Sequence, residues 1–189
     1  MKDILKLKWL LVLAVVLSIS ACDNDDPEPV NEEELITTVR VTFTSTGATD
    51  EVIVATFKDL DGPGGNAPEI TNPTLSANNT YSVSVEFLNE TETPAEDITE
   101  EVSEEAKEHQ VFFEVASALN FTYSYNDTDG DGNPIGLSGN VTTGDASSGT
   151  MAVVLIHEPN KSASGVSSGD ATNAGGEEDV RVSFTVTIQ

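Results

Sequence analysis

The chain has 189 residues, of which 33 are acidic and 8 are basic, so its formal net charge is −25 at pH 7. A field of this sign repels nucleic acid and anionic lipid, which argues against both as binding partners. The charge favours solubility and attracts cations, although a well-solvated surface explains most of the carboxylates.

Residues 1–21 have the pattern of a bacterial lipoprotein signal peptide. Three lysines lie within the first eight residues, and residues 9–19 form a mostly apolar run. A run of about a dozen residues matches a signal-peptide core rather than a membrane span. Two small residues directly precede Cys22, the only cysteine, so we expect cleavage before Cys22 and lipidation of its sulfur. An ordinary secreted protein with a stray cysteine is the alternative.

Residues 22–34 are acidic and poor in apolar side chains, with prolines at positions 27 and 29. Such a segment buries too little surface to offset its ordering entropy, which predicts a disordered tether. An acidic run directly after a lipidated cysteine resembles the export signal of Bacteroidota lipoproteins that reach the outer face of the outer membrane. We therefore predict a lipid anchor in the outer membrane, with surface exposure favoured over a periplasm-facing tether.

Residues 35–189 are predicted to form one antiparallel β-sandwich of about seven to eight strands, immunoglobulin-like or transthyretin-like. In residues 81–87, large apolar side chains alternate with Ser and Glu, as in a half-buried strand. Clusters of Gly, Asn, Asp and Pro separate eight such segments. The predicted strands are 39–44, 51–57, 81–87, 111–116, 119–125, 135–142, 150–157 and 180–188.

One segment, residues 94–107, is predicted to be an amphipathic helix that covers one end of the sandwich. Thr93 and Glu96 have the spacing of a capping box, with proline at the first helical position. Four apolar residues, at positions 95, 98, 102 and 106, then share one helix face. The long loops 59–73 and 158–178 are expected to be functional or mobile.

The segment around residue 130 resembles the first half of a calcium loop. Asp127, Asp129 and Asp131 alternate, with Asn133 next in the series, so a tight turn would direct their oxygens onto one hard cation. The twelfth position holds Ser138, where a complete loop has a bidentate acid. The alternative is a hairpin turn without metal, because turns select the same residue types.

The two histidines form the second candidate metal site. His109 opens one predicted strand and His157 closes another, and each continues an apolar stripe. If these strands are antiparallel neighbours, the two imidazoles come close, and Glu177 could supply a carboxylate for Zn²⁺ or Cu²⁺. The alternative is that both histidines finish the rim of the core.

The sequence contains little that predicts catalysis. With Cys22 lipidated no thiol nucleophile remains, and no Gly-x-Ser-x-Gly elbow or phosphate-binding glycine loop occurs. The only tryptophan, Trp9, lies in the predicted signal peptide. We therefore predict a protein that is not an enzyme.

Five segments resemble a small acidic lipoprotein family of marine Bacteroidota, whose members are often labelled "type 1 periplasmic binding fold superfamily protein". These segments are residues 35–39, 94–99, 108–113, 157–161 and 175–177. The resemblance implies an accessory role beside outer-membrane receptors and no established activity. The label implies a large two-lobed α/β protein, for which this chain is too short and too rich in strands.

Together these features predict a lipid-anchored, monomeric β-sandwich of the cell envelope that binds a ligand or an outer-membrane partner. The alternative function is capture or delivery of zinc or copper through His109 and His157.

Overall fold

The computed structural model describes residues 35–47 and 51–189, which form two β-sheets packed face to face around an apolar core. The predicted signal peptide, Cys22 and the tether of residues 22–34 lie outside the described residues.

The larger sheet has seven strands in the order β3-β2-β1-β5-β9-β8, with β6 paired to β5 at one end. All its pairings are antiparallel. The strands are β1 (Thr38–Ser45), β2 (Val52–Lys58), β3 (Glu69–Thr71), β5 (Thr80–Asn89), β6 (Glu96–Asp97), β8 (Phe121–Tyr125) and β9 (Ser138–Thr143).

The smaller sheet has four strands in the order β4-β11-β10-β7. They are β4 (Thr74–Leu75), β7 (His109–Val115), β10 (Ser147–His157) and β11 (Glu177–Ile188). Strand β10 pairs antiparallel with both β7 and β11, whereas β4 pairs parallel with β11. A register shift between Leu155 and Ile156 interrupts the β10–β11 ladder.

The alternation that predicts the strands also builds the core. Every second side chain of β5 is buried from Tyr81 to Phe87, and the residues between them face solvent more. Phe43 of β1 meets Tyr81 and Phe121 edge to face, with ring centroids 6.3 Å apart in both pairs. Such contacts add to the apolar area that the two sheets bury against each other.

The predicted fold class, a mostly β sandwich with one short helix, is confirmed. Each of the eight predicted strands corresponds to an observed strand, namely β1, β2, β5 and β7 to β11. The described residues contain three further strands (β3, β4 and β6) of only two or three residues each. Pairing with a neighbour creates these short strands, and two or three residues are too few to show a period.

The predicted bounds of the helix, 94–107, are wrong. The α-helix of the described residues, α1, spans only Ile98–Glu104, and Asp97 caps it by accepting a hydrogen bond from the backbone N–H of Thr99. Glu96 and Asp97 pair with β5 instead of continuing the helix. Ile98 and Val102 are buried, so the helix covers the core as expected.

The loop that follows β10 has structure of its own. It contains two short 3₁₀ helices, Val166–Ser168 and Ala171–Asn173. Val166 and Ala174 pack with Phe112, Val154 and Ile156 in a second apolar cluster, on the face of the smaller sheet that points away from the main core. Gln110 also donates a 2.9 Å hydrogen bond to the carbonyl of Val166. Apolar packing and this hydrogen bond therefore hold the loop against the smaller sheet.

No helix in the described part of the chain is both long enough and apolar enough to cross a membrane.

Candidate functional site

The two histidines lie side by side at one end of the smaller sheet. His109, the first residue of β7, is directly opposite His157, the last residue of β10. Their rings are stacked, with centroids 4.7 Å apart and planes inclined by 12°. The expectation that antiparallel pairing brings the two imidazoles together is confirmed.

The two rings differ in exposure. His109 is 1% exposed, whereas the side chain of His157 is 13% exposed. Nδ1 of His109 lies 3.3 Å from the carbonyl oxygen of Glu105, a contact that needs the proton on Nδ1. Burial lowers the pKa of His109, and although the Glu105 carbonyl opposes this, the nearby His157 lowers it further. His109 is therefore a neutral imidazole at pH 7.

Two acidic side chains lie close to His157. They are Glu158, which follows it in the chain, and Glu108, which precedes His109. One ligand atom each from Glu108, His157 and Glu158 all lie within 4.8 Å of one another. Nε2 of His157 is 3.9 Å from the nearer carboxylate oxygen of Glu108. Glu177 is opposite His157 on β11 but is not part of this group. Zinc or copper bound by His109, His157 and Glu177 stays a prediction.

Backbone geometry explains why sequence parity missed the two glutamates. In a regular strand, Glu108 and Glu158 would point away from the face that carries the histidines. Glu158 instead has a positive φ of 49°, which ends the alternation after His157. Its N–H donates a 2.5 Å hydrogen bond to the carbonyl of Glu108, so the two acidic residues meet at the end of the strand pair. In the sequence, the signal that could have identified these two glutamates is that each is adjacent to a histidine.

The aspartate loop is folded as a turn whose carboxylates accept hydrogen bonds from the protein. Asp127 accepts from the N–H groups of Gly136 and Ser138, each at 2.8 Å. Exposed Asp131 pairs with Lys107 at 3.0 Å, and this contact raises the pKa of Lys107. Asp127 therefore stabilises the turn, and Asp131 forms a surface ion pair.

Asp129 is the buried member of this loop, and it faces a buried lysine. One of its carboxylate oxygens accepts from the N–H groups of Asp131 and Asn133, each at 2.9 Å. The other lies 3.1 Å from Nζ of Lys161, and the side chains of Lys161 and Asp129 are only 6% and 1% exposed. Burial raises the pKa of Asp129, but hydrogen bonds from the Asn133 backbone and from Lys161 bring it below the usual value.

The ammonium group of Lys161 occupies a site lined with oxygens. It donates to the carbonyls of Ala106 at 2.5 Å and Pro134 at 3.2 Å, in addition to the Asp129 carboxylate. Three donors thus meet three acceptors, as a buried ammonium requires. Calcium bound by Asp127, Asp129, Asp131 and Asn133 stays a prediction, and it would have to displace Lys161. Sequence reasoning missed this pair because Lys161 is 32 positions from Asp129.

A groove of about 470 Å³ runs between the loop after β10 and the smaller sheet. Its floor includes Glu114, Ile156 and Arg181, and its opposite wall is built by the second 3₁₀ helix together with Asp170 and the glycine pair 175–176.

Arg181 organises the charges of this groove. It contacts both carboxylate oxygens of Glu114, at 2.6 and 3.2 Å, and Glu178 at 2.9 Å. The contact with Glu114, and to a smaller extent that with Glu178, raises the pKa of Arg181. Asp170, on the opposite wall, adds a third carboxylate to the lining of the groove, where it accepts a hydrogen bond from the N–H of Thr172. The groove is therefore polar and negative overall.

Comparisons with known proteins give no relative from which to assign a role: no protein-family model matches the chain, and no curated protein or solved structure matches it significantly.

Proposed function

We propose that this chain is a non-enzymatic, lipid-anchored β-sandwich of the cell envelope that binds a small polar ligand in the groove beside the loop after β10. The groove carries this proposal. Its volume falls within the range of small-molecule sites, about 300 to 1,000 Å³.

The construction of the groove supports a binding role. Long loops that a rigid scaffold holds in place are common binding elements. Here the second apolar cluster and the hydrogen bond from Gln110 fasten the loop to the sheet. Preorganisation of this kind lowers the entropy that ligand binding would otherwise cost.

The charges of the groove favour a ligand with a positive group. Three carboxylates, from Glu114, Asp170 and Glu178, and one guanidinium group line the groove, and the whole chain carries a net charge of −25. An acidic cleft raises the local concentration of cations and accelerates their binding. A small organic cation with hydrogen-bond donors is therefore the preferred ligand class.

Calorimetric titration with arginine and spermidine as cationic probes, and with glutamate and glucose as comparisons, tests the binding role. We expect the cationic probes to bind with an affinity that falls as salt concentration rises. Thr172→Trp, which fills the groove, should abolish this binding, whereas Ser84→Trp on the exposed face of the larger sheet should preserve it. Equal binding by both variants, or no binding of any probe, would contradict the proposal.

Cell fractionation tests the anchor separately. The sulfur of Cys22 is the proposed attachment point, so the Cys22→Ala form should leave the membrane fraction for the soluble one. Retention of this variant in membranes, with its signal peptide removed, would count against lipidation as the anchor. Protease digestion of intact cells then tests the proposed surface exposure, because a periplasm-facing protein would be protected.

A further inference from the structure

We propose that Glu108, His157 and Glu158 form a binding site for one divalent transition-metal ion, with His109 as the residue that orients His157. The site would take a borderline cation, with Zn²⁺ as the reference case. It does not depend on the groove function proposed above.

Convergence of three ligand atoms of two types at one end of the β7–β10 pair is the first argument. One imidazole nitrogen and two carboxylate oxygens lie within 4.8 Å of one another. Zn–N and Zn–O bonds of about 2.0 to 2.2 Å place two ligands of one ion roughly 3 to 3.5 Å apart. The 3.9 Å between His157 Nε2 and Glu108 is close to this value, and rotation of the exposed glutamates can close the difference.

The backbone supports this convergence. Glu158 has a positive φ, and its N–H donates to the carbonyl of Glu108. The β7–β10 register pairs His157 with His109 as the last pair of the ladder, so Glu108 and Glu158 lie directly beyond it at the end of the two strands. The positions from which all three side chains start are therefore set by main-chain hydrogen bonds.

The chemistry of these groups determines the metal class. Imidazole suits Zn²⁺, Fe²⁺ and Cu²⁺, whereas carboxylates alone suit Mg²⁺ and Ca²⁺. One nitrogen with two oxygens favours Zn²⁺, Mn²⁺ or Fe²⁺, and three protein ligands leave a position open for water or an incoming ligand.

His109 differs from His157 in its role. It is buried, its Nδ1 contacts the carbonyl of Glu105, and its ring stacks on that of His157. It is not a member of the converging group. Its ring therefore restricts the orientation of His157, as residues around a metal site commonly do for the ligands.

Titration of the protein purified from cells tests the site, with Zn²⁺ binding followed by calorimetry and Co²⁺ ligation followed by visible absorption. We expect one Zn²⁺ per chain. His157→Gln should abolish the Co²⁺ spectrum, and Glu108→Gln or Glu158→Gln should each weaken Zn²⁺ binding by at least about tenfold. Glu177→Gln removes one negative charge from the opposite strand position and separates the two ligand sets: the affinity should stay within about twofold if Glu108, His157 and Glu158 are the ligands.

The positioning role of His109 has its own variants. His109→Ala removes the stacked ring and should weaken binding by about tenfold, whereas His109→Phe keeps an aromatic ring there and should restore most of the affinity. Loss of binding in His109→Phe and Glu177→Gln, with retention in Glu158→Gln, would overturn the proposal in favour of the other ligand set. Zn²⁺ binding that no variant changes would also overturn it. The unfolding midpoint of each metal-free variant verifies that it is folded.

Discussion

The aspartate loop and the histidine end of the sheet both contain several acidic side chains, but the partners of these side chains differ. In the loop, the buried carboxylate of Asp129 is paired with the ammonium group of Lys161. At the histidine end, two exposed carboxylates flank His157 at the rim of the sandwich. The first region contains its own cation, whereas the second combines a largely buried imidazole with two exposed carboxylates.

This difference shows that the number of carboxylates in a segment does not reveal which of them already accept hydrogen bonds or ion pairs from the protein. The loop has the stronger calcium pattern in sequence, yet backbone N–H groups and Lys161 occupy its acceptors. The histidine end has no compact ligand motif, yet three ligand atoms converge there. The three predictions that follow test this contrast.

Lys161→Met should destabilise the protein most, because it removes the buried ammonium group and leaves the carboxylate of Asp129 without its ionic partner. We expect the free energy of unfolding to fall by about 3 to 5 kcal/mol, as when one partner of a buried ion pair is removed. Urea unfolding measures this loss. Lys107→Met breaks the exposed pair with Asp131 and should leave the midpoint nearly unchanged. Equal urea midpoints for Lys161→Met and Lys107→Met would show that the buried ion pair stabilises the protein no more than the exposed one.

Calcium should stabilise the protein more strongly once Lys161 is gone. Lys161→Ala leaves the Asp129 carboxylate and two backbone carbonyls around an emptied position, and these are the oxygens that Ca²⁺ prefers. At a Ca²⁺ concentration far above Kd, we expect a gain of about 2 kcal/mol in this variant and a smaller gain in the wild type. Thermal unfolding in chelator and in calcium measures both.

Adding Asp129→Asn to Lys161→Ala should abolish the calcium response. A wild type that responds as strongly as Lys161→Ala would show that the lysine does not compete with the ion.

His109 should cause a weaker change, which concerns the pH dependence of stability. The pKa of His109 is lowered from 6.5 in the folded protein, so the unfolded chain binds a proton first as pH falls. The stability that His109 contributes is therefore present above pH 6.5 and is lost as pH falls from 6.5 towards the lower folded pKa. Urea midpoints across this range should decline less in His109→Phe than in the wild type. Parallel curves would contradict the expected linkage.

Much of the fold could be predicted because period-two alternation is a local property. The segment 81–87 alternates clearly, and the observed strand β5 contains it. The helix was less predictable, since Pro94 and the capping-box spacing indicate a start that pairing of Glu96 and Asp97 with β5 overrides. A local signal fails where a neighbouring strand offers the same backbone groups a different partner.

The candidate sites likewise have features that could be predicted from the sequence and features that could not. Proximity of His109 and His157 could be predicted, because strand ends and side-chain parity follow from the sequence once antiparallel pairing is assumed. The convergence of Glu108 and Glu158 could not, because it depends on the positive φ of one residue that is not glycine. The groove could not be predicted either, because it forms where a loop packs on a sheet face.

The fold class, most of the strands and the position of the histidines at a sheet end could be predicted from the chain alone. These properties follow from residue order and side-chain periodicity. Which polar groups meet depends on the folded chain: Lys161 lies beside Asp129, and Glu108 and Glu158 lie beside His157. The physical reason is that electrostatic and metal-ligand contacts depend on distances of a few ångströms between atoms that are far apart in the chain.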